Sequence, residues 1–113
     1  NKMILGKMEG ILDEYITSGK LQERKLPTSG CCAEKLNLST AYFDDLLRFE
    51  TGKTLAEYFQ FKCLYTAKKM LSEGGNTPAA VARRLGYPSV QYFSLVFKKA
   101  TGVAPNEYRY SQN

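Results

Sequence analysis

Apolar residues at Ile4, Leu5, Met8, Ile11, Leu12, Tyr15 and Ile16 recur at the i, i+3/i+4, i+7 spacing of one buried helical face. The pattern predicts a first helix stopped at Gly19, where glycine tolerates the left-handed turn that ends helices. Beyond the loop at Pro27, "CCAEKL" predicts a short second helix ending near Asn37. Ser39 then caps a third helix, because its hydroxyl accepts from a backbone N–H two or three residues on. Thr54 and Glu57 are spaced as a capping box for a long fourth helix over 55–73, closed by Gly74-Gly75. Thr77-Pro78 opens a fifth helix, "AAVARRL", with proline at the first position where its missing N–H costs little. Gly86 ends that helix, Ser89 caps a sixth, and Pro105 begins a last short helical turn. No stretch alternates with period two, so the predicted fold class is all-α.

The pattern repeats. "AYFDDLLRFETG" (41–52) returns as "QYFSLVFKKATG" (91–102), and Glu57-Tyr58 returns as Glu107-Tyr108, each fifty positions on. Ala33-x-x-Leu36 answers to Ala82-x-x-Leu85 at an offset of 49, so the second turn holds one more residue. Each copy is a short helix, a tight turn, a second helix and a glycine stop. Solenoid repeats stack directly at about 34–47 residues, whereas here a helix of about 20 residues stands between the copies. The expected organisation is a first lobe over 1–53, a linker helix over 54–75 and a second lobe over 76–113.

Composition narrows the function. The chain has 113 residues, enough for one core without staples, and modest Gly and Pro content. No apolar run approaches the roughly 20 residues of a membrane span. The chain opens on Asn, which points to a piece of something longer. Cys31, Cys32 and Cys63 form no metal or disulfide pattern and read as buried free thiols of a cytoplasmic protein. Histidine is absent, which removes the commonest general base and metal ligand. An enzyme is not expected. Residues 1–52 hold seven Lys/Arg against eight Asp/Glu, while residues 53–113 hold nine against three. A basic second half implies an anionic partner met mainly by that half.

A short helix, a turn and a longer helix with one polar face is helix-turn-helix anatomy, whose second helix enters the major groove. On the second copy Phe93, Val96, Phe97 and Ala100 are expected to face inward, leaving Gln91, Ser94, Leu95 and Lys98 outward. Gln suits adenine, Ser either partner, and an exposed Leu a thymine methyl. Arg83, Arg84 and Lys99 are candidate phosphate contacts, with Lys98 beside them. Ser89, Val90 and Tyr92 complete the expected contact set of that helix. On the first copy Phe43, Leu46 and Leu47 are expected inward, and Thr40, Ala41, Tyr42, Asp44, Asp45 and Arg48 form the candidate contact face. Tyr58, Phe61, Cys63 and Tyr65 are expected to dock the linker on both lobes. A linker of about 20 residues is roughly 30 Å long, near the ~34 Å between successive major grooves on one face of B-DNA. One chain would then carry two reading helices to double-stranded DNA. A helical protein-interaction adaptor on the same scaffold is the alternative, favoured by an exposed Leu95.

"VARRLGYPSVQYFSLVFKKATGVAPNEYR" (81–109) resembles the second helix-turn-helix signature of the AraC/XylS transcription regulators. The matching residues are Val81, Ala82, Gly86, Tyr87, Tyr92, Phe93, Phe97, Lys98, Lys99, Gly102, Pro105, Tyr108 and Arg109. "LSTAYFDDLLRFETGKTLAEYF" resembles the first unit and "AKKMLSEGG" the end of the connecting helix. The resemblance implies two homeodomain-like helix-turn-helix subdomains, about seven helices in all, joined by a long linker helix. It implies a bacterial, cytoplasmic, nucleoid-associated regulator that activates or, less often, represses transcription. RNA polymerase and a sensor or dimerisation domain in a longer chain are the implied partners, without a membrane or cofactor. Departures stand at Asp45 and Leu95, where many members carry a base-reading Arg, at Cys63 in place of an Arg, and at Ala104 in place of a capping Thr.

The kept residues Tyr42, Phe43, Thr51 and Gly52 read as scaffold, and the varied face as the part that chooses a partner. Asp44 and Arg48 are spaced for an i, i+4 pair. Three readings of the aspartates stay open. They solvate the face and favour the helix start, or Asp45 accepts from cytosine N4, or the first lobe binds weakly and the second anchors.

Overall fold

The computed structural model describes residues 2–23 and 26–111. Seven helices occupy them, with no strand: α1 Lys2–Thr17, α2 Ser29–Lys35, α3 Thr40–Thr51, α4 Leu55–Ser72, α5 Pro78–Arg84, α6 Val90–Thr101 and α7 Pro105–Ser111. The expected caps form. Ser39 Oγ accepts from the Tyr42 N–H at 3.1 Å, and Ser89 Oγ from the Tyr92 N–H at 3.0 Å. Thr77 Oγ1 accepts from the Ala80 N–H at 3.1 Å. The Thr54–Glu57 box closes both ways, at 3.2 and 2.9 Å. Two boundaries differ from expectation. Thr28 caps α2 through the Cys31 N–H, so that helix starts at Ser29 rather than at Cys31. The segment after Pro105 runs on to Ser111 as a seven-residue helix, longer than one turn.

The Thr-Gly pairs explain why the two copies end alike. Thr51 Oγ1 donates to the Leu47 carbonyl at 2.7 Å and accepts from the Lys53 N–H at 3.1 Å. Thr101 Oγ1 repeats this with Phe97 at 2.9 Å and Val103 at 3.3 Å. Gly52 (φ 73°) and Gly102 (φ 87°) then take the left-handed cap and return their N–H groups to the carbonyls of Arg48 and Lys98. Polar groups freed at each helix end are thereby satisfied by the helix's own next residues.

The turns match as well. The Leu38 N–H reaches the Ala33 carbonyl at 2.9 Å, and the Tyr87 N–H reaches that of Ala82 at 3.0 Å. Asn37 (φ 57°) holds the left-handed position that Gly86 (φ 80°) holds in the second copy. The additional residue of the second turn falls between Tyr87 and Ser89, at Pro88.

Burial is shared between the units through α4, which packs against α1 and α3 of one and α5 and α7 of the other. Its buried residues are Leu55, Tyr58, Phe59, Cys63, Ala67 and Leu71. At the other helices Met8, Leu12, Phe43, Leu47, Val81, Phe93 and Phe97 lose nearly all their surface. Covering such side chains is the main favourable contribution to folding, about 1.5–3 kcal/mol each. The second unit's core is a run of rings: Tyr87 to Phe93 at 5.1 Å, Phe93 to Phe97 at 5.7 Å and Phe97 to Tyr108 at 5.4 Å. Toward α1, the Tyr58 hydroxyl donates to Glu9 Oε1 at 2.9 Å and Lys62 pairs with Asp13 at 3.0 Å.

Several inward assignments need correction. Phe61 and Tyr65 are 55% and 59% exposed, so only Tyr58 and Cys63 of the four expected docking residues are buried. Ala100 is exposed, and Val96 and Leu46 are half-buried. A helix 18 residues long turns through every direction, and its partners cover only part of that circle.

Candidate nucleic-acid interface

α3 and α6 present the same construction to solvent: a serine cap, an outward polar face over one buried Phe pair or Phe–Leu pair, and a Thr-Gly stop. On α3, Thr40, Ala41, Tyr42, Asp44, Asp45 and Arg48 are all exposed. On α6, Gln91, Tyr92, Leu95 and Lys98 are exposed, while Ser89, Val90 and Ser94 are half-buried. Val90 leans on the core, so its side chain is partly packing. Tyr42 and Tyr92 are each 51% exposed, which removes Tyr42 from the scaffold set and places both tyrosines on the surface.

The two faces differ in charge and in how their polar groups are held. The side chains of Arg83, Arg84, Lys98 and Lys99 are exposed and make no ion pair or hydrogen bond among the described residues. Four cations without partners leave the second unit attractive to an anion. In the first unit the expected Asp44–Arg48 pair does not form among the described residues. Asp44 instead accepts a hydrogen bond from the Ser29 hydroxyl at 2.6 Å. Asp45 makes no hydrogen bond there and stands open to solvent. Next to this face the Glu57 carboxyl is held below its usual range by its bonds to Thr54, with Arg48 and Lys53 adding to the effect.

At Leu95, 71% of the surface is exposed, so an apolar tip projects from the middle of the polar face of α6. Phe49, at the position that Lys99 fills in the second copy, is 84% exposed and does not figure in the expected contact face. Its spacing, two residues from buried Leu47, puts it on the outer side. Gln22 is a second residue outside the expected set. It lies in the turn after α1 yet lines a cleft with Arg83, Ser89 and Val90 of the second unit. No local pattern marks it.

Cys63 is buried in α4, and burial pushes its thiol up to about 12. Cys32 is buried and likewise raised, while Cys31 shares a contact of 3.7 Å with the Tyr15 hydroxyl. Among the described residues no group of side chains is arranged to hold a metal ion, and no helix is long and apolar enough to cross a membrane.

Comparison with known proteins places this arrangement. A family model described as a helix-turn-helix domain matches residues 32–111, from α2 to α7. The arabinose operon regulatory protein of Escherichia coli is 34% identical over 77 residues, covering 68% of this chain and 26% of that protein. The HTH-type transcriptional activator RhaR of Salmonella schwarzengrund is 26% identical over 106 residues, covering 93% of this chain and 37% of that one. The chain thus spans about a third of the length of these relatives, or less. Among solved structures, the C-terminal domain of AraT, a response regulator from Geobacillus stearothermophilus, superposes with a TM-score of 0.74 at 27% identity. It covers 98% of this chain and 86% of that one. With both helix-turn-helix units, their linker and the sequence match in agreement, the chain belongs to the AraC/XylS family of transcription regulators.

Proposed function

We propose that this chain is a sequence-specific double-stranded DNA-binding module that regulates transcription by laying α3 and α6 in adjacent major-groove segments. The observation that carries the reading is the matched pair of helices, with Lys98 and Lys99 on α6 and Arg83 and Arg84 on α5 unpartnered among the described residues. α4 has 18 residues, hence a length of about 27 Å. That supports reading heads separated by about one turn of B-DNA, ~34 Å, once the helices' own widths are added. Residues 1–53, 54–75 and 76–113 serve as first lobe, linker and second lobe of one unit.

Within this reading Gln91, Ser94 and Leu95 meet base edges, and Lys98, Lys99, Arg83 and Arg84 hold phosphates. Ser89, Val90 and Tyr92 approach from the start of α6. In the first lobe Asp45 reads a cytosine amino group, with Thr40, Ala41, Tyr42 and Arg48 around it, while Asp44 steadies the motif. The regulator acts in the bacterial cytoplasm by activation, with RNA polymerase and a sensor or dimerisation domain of the longer protein as further partners. Titrating duplexes selected from a random pool across a range of salt tests the proposal. Affinity is expected to fall steeply as counterions compete. Absence of binding to any duplex at low salt would overturn it.

A further inference from the structure

Leu21 is buried although it stands in a turn, four residues beyond the end of α1. Two short backbone bonds shape that turn, Gln22 N–H to the Gly19 carbonyl and Glu23 N–H to that of Lys20, both at 3.1 Å. The Leu21 backbone lies directly on Gly86, the left-handed residue between α5 and α6. A Cβ at Gly86 would collide with the Leu21 carbonyl oxygen and sit 3.1 Å from its Cβ. A segment that precedes the first unit's α2 is therefore packed on the turn of the second unit, 65 residues further along the sequence.

That packing delivers the next residue. Gln22 is exposed, and its side-chain amide has no hydrogen-bond partner among the described residues. It lines a cleft of about 350 Å³ with Arg83, Pro88, Ser89 and Val90. Arg83 is exposed and equally without a partner. Glu23, the acidic neighbour in the turn, does not line the cleft. An amide donor and a guanidinium thus share the rim beside the first residues of α6. A ligand that bears negative charge and acceptor atoms can take a hydrogen bond from both.

We propose that the Gly19–Glu23 turn is a third DNA contact, in which Gln22 donates to a backbone phosphate that Arg83 also neutralises. The contact rests on the reading of α6 as a groove-entering helix, since it places the phosphate beside the bases α6 meets. It carries no base information of its own and fixes how the second unit sits on the duplex.

The test uses the chain as it stands, with Gln22→Ala, Gln22→Glu and Gln22→Lys, and Lys98→Ala as the control on α6. Gln22→Ala is expected to weaken binding a few-fold, about equally on a selected and a scrambled duplex. Gln22→Glu is expected to weaken it roughly tenfold at low salt, and Gln22→Lys to steepen the salt slope by about 0.9. If Lys98→Ala weakens binding while Gln22→Glu and Gln22→Lys match the parent in affinity and slope, the third contact is overturned and the DNA-reading function stands. If the parent binds no duplex, the function itself falls, and this contact with it.

Discussion

The Ser29 hydroxyl donates to Asp44 Oδ1 at 2.6 Å, tying the start of α2 to the outer face of α3. The second unit has no such tie, because Pro78 and Ser94 stand at the corresponding positions and proline offers no donor. The two adjacent aspartates are therefore in different situations: one holds the motif together, and the other is open to a partner.

Substituting them separates the roles. Asp44→Ala is expected to lower stability by about 1 kcal/mol, the usual net worth of an intramolecular hydrogen bond, read from urea unfolding. Asp45→Ala is expected to leave stability within about 0.5 kcal/mol, as for a surface change without contacts. In site selection from random duplexes, Asp45→Ala should shift preference at one or two positions without abolishing binding. Unchanged affinity together with unchanged preference would make Asp45 a solvating residue only.

Lys98 and Lys99 distinguish DNA binding from an adaptor role. Replacing either with Ala should reduce the slope of log affinity against log salt by about 0.9 for each phosphate left without its lysine. Both changes together should reduce binding on every sequence. A partner held through Leu95 alone would be indifferent to them, so the pair also tests whether the exposed leucine recruits protein instead.

Gly86 should be far less replaceable than the glycines that end α3 and α6. All three have positive φ, which costs an L-residue about 1–2 kcal/mol. Around Gly52 and Gly102 a Cβ would meet nothing within 4 Å, whereas at Gly86 it meets the Leu21 backbone. Gly86→Ala is thus expected to lower stability clearly more than Gly102→Ala, measured by thermal unfolding of both. Equal effects would mean that the Leu21 turn gives way at no cost.

Alkaline pH should destabilise the fold through Cys63. Burial raises its thiol from an ordinary 9.0 to about 12, so the folded state keeps a proton that the unfolded chain gives up. Stability from this group is complete below about pH 9 and is lost as pH rises toward 12. Tyr58, raised to about 12 by burial and by its bond to Glu9, adds to the loss above pH 10. Urea midpoints at pH 8 and pH 10 should differ less in Cys63→Ala than in the parent.

The sequence alone determined the helices, their caps and the doubled unit. These features are local: a serine or threonine two or three residues from the N–H it satisfies, a glycine directly after the last turn, an apolar stripe every three or four residues. The outer faces of α3 and α6 were legible only in part: Asp45, Arg48, Gln91, Leu95 and Lys98 are exposed as expected, while exposed Phe49 does not figure in the expected face and exposed Ala100 is expected inward. What only the tertiary structure decided lies between distant segments. Ser29 claims Asp44 from another helix, Phe61 and Tyr65 stay more than half exposed on α4, and Leu21 seats on Gly86 from 65 residues away. Periodicity states which side chains seek cover, but the packing of whole helices settles which of them receive it.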